Sequence, residues 1–242
     1  MIQFFKKNRH TLIKNNNPKK YFAYADGEIL IIIIGILIAV GINNWNENRK
    51  LKIKELKILS ELRSDLIQNM NDVEENIHFL TQSIQSNEII KYHIENQLPN
   101  NDSLNYHFSL LNAYVAFIMN QTTYDNLKQI GIDMISNDSL RLSISDLYGH
   151  RYASYRKFED QYLLEHYTNY IKPIIISEFS TLERNIFVPI NYHQLINHPQ
   201  LKQVINYSIT LYTIYIGIQS DLQNRIQVLI DEIEKETKKL KQ

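Results

Sequence analysis

The stretch that most constrains this chain is GEILIIIIGILIAVGINNW, residues 27–45. From Ile29 to Ile42 only Gly35 and Gly41 interrupt an apolar run led by four isoleucines, Ile31 to Ile34. Fourteen residues is short, since a spanning helix needs about twenty and shorter runs also serve as core helices or signal-peptide segments. The flanks favour a membrane anchor. Tyr21, Phe22 and Tyr24 lie on one side and Trp45 on the other, the amphipathic aromatics that sit at headgroup level. As a helix, Tyr21 to Trp45 measures roughly 36 Å at 1.5 Å per residue, enough for a bilayer with its interfaces. Asp26 and Glu28 then fall near one interface, where a carboxylate costs far less than at mid-membrane.

The rival reading is a cleaved signal peptide, because Ala39-Val40-Gly41 has the small-x-small form of a cleavage site. Against it stand a long N-terminal region, acids directly before the apolar run, and a helical pattern that continues past Trp45. Gly35 and Ala39 form a small-xxx-small pair through which two anchors could pack. Residues 1–20 carry Lys6, Lys7, Arg9, Lys14, Lys19 and Lys20 and no acid, while Arg49, Lys50, Lys52, Lys54 and Lys57 come after the anchor. That asymmetry leans towards a cytoplasmic N-terminus and a body outside.

Charge sums to zero over the 242 residues, but residues 46–242 hold 20 Lys/Arg against 24 Asp/Glu. A mildly acidic body argues against nucleic acid as a partner, and the basic tail suits anionic lipid headgroups. The chain has no cysteine, which removes disulfides, thiolate chemistry and cysteine-based zinc sites. Six glycines, five prolines and long periodic stretches point to an all-α fold. Its parts are a basic N-terminal tail (1–20), a transmembrane anchor (21–45) and a helical bundle (46–242).

Along the chain, a short amphipathic helix is expected over residues 3–12. Past Trp45 the pattern runs without Pro or Gly to Gln97, and Leu59, Leu62, Leu66, Met70, Val73, Ile77, Leu80 and Ile84 form a coiled-coil-like seam with one stutter. The anchor should therefore extend as one long helix into the aqueous body. Pro99 to Asp102 breaks it, with Asp102 as N-cap of a second helix over residues 103–120 that is apolar on much of its surface. Thr122 or Thr123 caps a short helix over 124–130, ended by Gly131. Asn137 or Asp138 caps a long helix to Ile171, stopped by Pro173. Residues 174–198 are mixed, and a final helix runs from Pro199 to Leu240. Antiparallel pairing of the two longest helices would return Lys235, Lys238, Lys239 and Lys241 towards the membrane surface.

The anchor, with Gly27, Glu28, Gly35, Ile36, Leu37, Ile38, Ala39, Ile42, Asn43, Asn44, Trp45, Asn46 and Glu47, is joined to a later T-Y-x-x-L-x-x-x-G motif at Thr123, Tyr124, Leu127 and Gly131. Together they resemble a family of uncharacterised single-pass membrane proteins of flavobacteria and their relatives. The resemblance implies architecture and a bacterial inner-membrane location, but no mechanism.

Candidate chemistry is sparse. Glu75-x-x-His78 has the spacing of di-iron carboxylate bundles, which need a second copy that this chain lacks; a solvated helix face is the plainer reading. His150 and His166 belong to no metal or nucleophile motif. Tyr148, Tyr152, Tyr155, Phe158 and Tyr162 form an aromatic stripe with Arg151 and Arg156 alongside; bundle core is favoured over a ligand platform. No catalytic, cofactor-binding or metal residue is assigned. The candidate ligand or partner surface is Tyr124, Tyr148, Arg151, Tyr152, Tyr155 and Tyr162, and the membrane-interface residues are Tyr21, Tyr24 and Trp45. Expected partners are the lipid bilayer and a second copy or an envelope protein. Two functions fit these residues: a non-enzymatic anchored scaffold or ligand-binding module, or a membrane-tethered enzyme with its site near the Tyr148–His166 helix.

Overall fold

One helix, α1, runs 78 residues from Pro18 to Glu95 in a computed structural model that describes the backbone from Pro18 and side chains from Asp26 onward. Nothing between Ile42 and Leu98 is Gly or Pro, so no residue in that stretch withholds a helical hydrogen bond or favours a turn. Residues 1–17, with the helix expected over 3–12, and the side chains of Tyr21, Phe22 and Tyr24 lie outside the described residues. Contacts divide the chain between Lys54 and Glu55. In the first unit, the large apolar side chains from Ile29 to Ile42 are each 47–64% exposed. The helix is long and apolar enough to cross a membrane, and none of its apolar window is covered by protein.

The second unit, Glu55–Gln242, is built on pairing of α1 with the last helix, α6 (Leu201–Lys241). Arg63 meets Glu234, Gln223 meets Glu74 and Lys202 meets Glu95 at 2.8–3.0 Å. The contacts descend one helix as they climb the other, so the two are antiparallel and in step. Leu59, Leu62, Leu66, Val73 and Leu80 of the expected seam are fully buried, as are Leu222 and Ile226 of α6, with Leu229 and Ile233 nearly so. Each such side chain contributes about 2 kcal/mol by leaving water. The all-α expectation holds.

Between them lie α2 (Leu104–Ser109), a tight turn Leu110–Asn112 and α3 (Thr122–Ile130). Next is α4, a third long helix over residues 138–178, interrupted by π turns at Leu147–Arg151, Glu159–Leu163 and Tyr167–Ile171. A hairpin, β1 (Phe179–Glu183) antiparallel to β2 (Ile186–Pro189), and the short α5 (Tyr192–Ile196) lead into α6. Phe179 and Phe187 of the hairpin pack with Phe108 of α2, centroids 5.4 and 5.8 Å apart for the pairs Phe108–Phe179 and Phe179–Phe187.

Four local expectations are corrected. The helix expected over 103–120 stops at Asn112, and residues 113–121 run as a non-helical strap. Side chains from other helices take its amide protons. Glu159 Oε1 accepts from Phe117 at 2.8 Å, Asp72 Oδ2 from Ile118 at 3.0 Å, and Asn69 Oδ1 from Asn120 at 2.7 Å. Asp65 Oδ2 accepts the Thr123 amide at 3.0 Å, so the first turn of α3 is capped by α1 and not by Thr122 or Thr123. Asp65, Asn69 and Asp72 share a helical face because they stand four and three residues apart. Asp102 does not cap α2; the N-cap is Ser103, and the Asn101 carboxamide accepts the Ser103 amide. Pro173 does not stop α4, because it sits in the first turn of the segment after the third π turn, where a helix has no use for its missing N–H. Gly131, with φ +104°, and Asn137, whose side chain accepts the Leu140 amide at 3.2 Å, end and start their helices as expected.

Candidate functional site

The three π turns decide which side of α4 is buried. A π turn takes one extra residue into the helix and rotates the faces of the turns beyond it. The buried positions around the third are His166 and Ile171, five apart, a gap too wide for one face of a regular helix. With the extra residue absorbed, both face inward, and Tyr162, Glu165 and Tyr170 are left at the surface beside α6.

A groove of about 500 Å³ opens there, within the range that holds small molecules. His166 and Val204 form its buried floor. The half-exposed rings of Tyr162, Tyr170 and Tyr207 stand around it, with the polar ends of Gln161, Glu165, Gln200 and Gln203 between them. Tyr207 meets the His166 ring edge-on at 4.8 Å between centroids, and Tyr170 lies 6.0 Å away on the same imidazole.

His166 is 3% exposed, and burial lowers its pKa from 6.5 to about 4, so it is neutral at physiological pH. Its Nε2 lies 2.7 Å from Ser208 Oγ. One turn further along α6, the Tyr212 hydroxyl donates to the Ala113 carbonyl at 2.8 Å. The other ring nitrogen of His166, Nδ1, is buried with no partner.

A smaller groove of about 270 Å³ lies between the start of α4 and the second half of α6. Its Asp146, Arg151 and Arg225 are engaged in ion pairs, Arg151 with Asp146 at 2.9 Å and Arg225 with Asp221 at 2.7 Å. Among the described residues, no group of three or more His, Cys, Asp or Glu could hold a metal. Glu75 and His78 are exposed on α1. His150 is exposed beside Asp146.

The aromatic residues singled out from the sequence divide. Tyr124, Tyr148, Tyr152 and Tyr155 are buried in one core cluster. Tyr124 stacks on Tyr148 at 4.7 Å, and Tyr148 meets Tyr152 edge-on at 5.2 Å. Tyr152 Oη accepts from Asn69 at 3.1 Å and Tyr155 Oη donates to Asp221 at 2.9 Å. Burial raises the pKa of Tyr148, Tyr152 and Tyr155. Arg151 faces the smaller groove, and Tyr162 lies at the larger one. Trp45 is 65% exposed on the first unit. Tyr170, Gln203 and Tyr207 were not singled out. Tyr162, Glu165, His166 and Tyr170 lie within nine residues of one helix, but Tyr207 comes from another.

No curated protein and no solved structure matches the chain. A family model described only as a family of unknown function, DUF6090, matches residues 28–207, from the start of the apolar run to Tyr207 of the groove, and the chain belongs to that family.

Proposed function

We propose that this protein is a membrane-anchored, non-enzymatic module that binds a small polar ligand at the cell envelope. Residues 29–42 hold it in the inner membrane, the N-terminus lies in the cytoplasm and the helical body lies outside. The observation that carries the ligand-binding part is the groove between α4 and α6, where tyrosine rings and carboxamides surround a buried imidazole with an unpartnered nitrogen. Concave sites with apolar faces and a few converging polar groups are where small molecules bind. The uncovered apolar run supports the anchor, and the six basic residues before it support the orientation.

The Ser208–His166 contact at 2.7 Å favours a second reading, a membrane-tethered hydrolase with Ser208 as nucleophile. Two features weigh against it. Ser208 is 3% exposed and does not line the groove, and the other nitrogen of His166 has no carboxylate to orient it.

The test is a thermal-shift screen of small metabolites on the full chain in lipid nanodiscs. At least one chemical class should raise the unfolding temperature, because a ligand that binds only the folded state stabilises it by mass action. Tyr207→Ala should abolish that shift while costing the unliganded protein only about 0.5–1.5 kcal/mol, the level of one lost aromatic contact. A shift that survives both Tyr207→Ala and Tyr170→Ala would move the site elsewhere. Labelling of Ser208 by a fluorophosphonate, lost in Ser208→Ala, would install the hydrolase reading instead.

A further inference from the structure

The groove's lining specifies the charge of its ligand. Not one of its lining residues is Lys or Arg, and its imidazole stays neutral, being shifted to about 4 by burial. An anion would therefore enter with no counter-charge and no cationic donor, a costly arrangement in a partly dry site. Glu165 supplies the one formal charge of the lining, a carboxylate at the surface edge. Tyr162, Tyr170 and Tyr207 add three ring faces, each with the negative quadrupole that attracts a cation. The protein makes this contact elsewhere, where the Lys128 ammonium lies 4.9 Å from the centre of the Tyr124 ring. The Gln161, Gln200 and Gln203 carboxamides add carbonyl oxygens that accept from N–H donors.

Resting on the ligand-site reading above, we infer that the groove takes a small organic cation bearing N–H donors, an alkylammonium or guanidinium group. Glu165 is its counter-ion, and the rings of Tyr170 and Tyr207 are its walls. The Gln161, Gln200 and Gln203 carboxamides receive the rest of a ligand of modest length. A quaternary ammonium satisfies the rings but can donate no hydrogen bond to Glu165, so it binds more weakly than a primary amine of the same size.

The experiment is isothermal titration of the full chain in nanodiscs of zwitterionic lipid, with empty nanodiscs as blank. The probes are putrescine, agmatine, tetramethylammonium, glucose and acetate. Putrescine or agmatine should bind saturably and more weakly as salt is raised. Glu165→Gln and Tyr207→Ala should each weaken binding at least about tenfold, the equivalent of 1.4 kcal/mol. Glu183→Gln, on the hairpin, should leave it unchanged. The His166 ring resonances should move on titration with the amines. Glucose binding without amine binding, lost in Tyr207→Ala, would overturn the cation assignment and leave the groove standing as a ligand site. Amine binding indifferent to Glu165→Gln, or no amine binding at all, would overturn the assignment too; the groove itself is then judged by the metabolite screen.

Discussion

Glu159 and His166 are buried seven residues apart on α4, and burial acts on them with opposite sign. It raises the Glu159 pKa, against the opposing pull of the Tyr215 hydroxyl and the Phe117 amide, and it lowers His166 to about 4. For His166 the unfolded chain takes up a proton near 6.5 while the folded chain refuses it until about 4. The unfolded state binds more protons in that window, so this residue's contribution is full above 6.5 and is lost as the pH falls. The slope approaches about 1.4 kcal/mol per pH unit for one proton. Denaturant unfolding followed from pH 7 to pH 4 should show this decline, and His166→Gln should flatten it. Glu159 runs the other way: its protonated form is favoured in the folded state, so its contribution is present at low pH and lost as the pH rises through its folded pKa. A decline in His166→Gln as steep as in wild type would mean that the imidazole is protonated in place. The spacing of Tyr148, Tyr152 and Tyr155 was enough to read them as core, since four- and three-residue steps put them on one helical face. Nothing local marks His166 as buried, because its position depends on two π turns and on Ser208 of α6.

At the scale of elements, periodicity was informative wherever an element is held by its own apolar stripe. Leu59 to Leu80 and Leu201 to Ile233 are of that kind, and both helices are where their spacing puts them. It failed over 113–121. Phe108, Leu111 and Val115 are spaced as on a helix, but the backbone beyond them is claimed by Asp65, Asn69, Asp72 and Glu159. Those partners lie 42 to 58 residues away in sequence, beyond the reach of any local pattern. The strap is therefore held by long-range polar bonds as well as by the burial of Ala113 and Val115. Asn69, fully buried, serves both sides of Asn120: its Oδ1 accepts the amide at 2.7 Å and its Nδ2 donates to the carbonyl at 3.0 Å. The same Nδ2 donates to Tyr152 Oη at 3.1 Å. Asn69→Ala leaves that amide and carbonyl without partners, and should cost about 2–6 kcal/mol at roughly 1–3 per stranded group. The loss should appear as a lower urea midpoint with unchanged helical circular dichroism, since no helical hydrogen bond is removed. A cost under about 0.5 kcal/mol, the level of a neutral surface change, would mean that the strap has other anchors.

For the whole molecule, the long apolar N-terminal helix and the helical body were both readable, because a long apolar run and two matched heptad-like stripes are signals carried by many residues at once. Orientation depends on a few basic side chains. The cysteine-free sequence lends itself to a direct check: Lys7→Cys and Asn100→Cys, each alone, probed in intact cells with an impermeant thiol reagent. Labelling at position 100 only, with both sites reactive after permeabilisation, is the expected result; labelling at position 7 only reverses the topology. The strap has a further consequence, for the order in which the body assembles. Its acceptors come from α1 and from α4, and its Ala113, Val115, Phe117 and Met119 pack on the cores that those helices help to build. Closing a loop of some fifty residues is an entropic cost that must be met before any of these bonds can form. Docking of the strap therefore comes after the meeting of α1 and α4, and it belongs to the late side of the folding barrier. In native-state hydrogen exchange the amides of Phe117, Ile118, Asn120 and Thr123 should then open together, and earlier than the long helices they are fastened to.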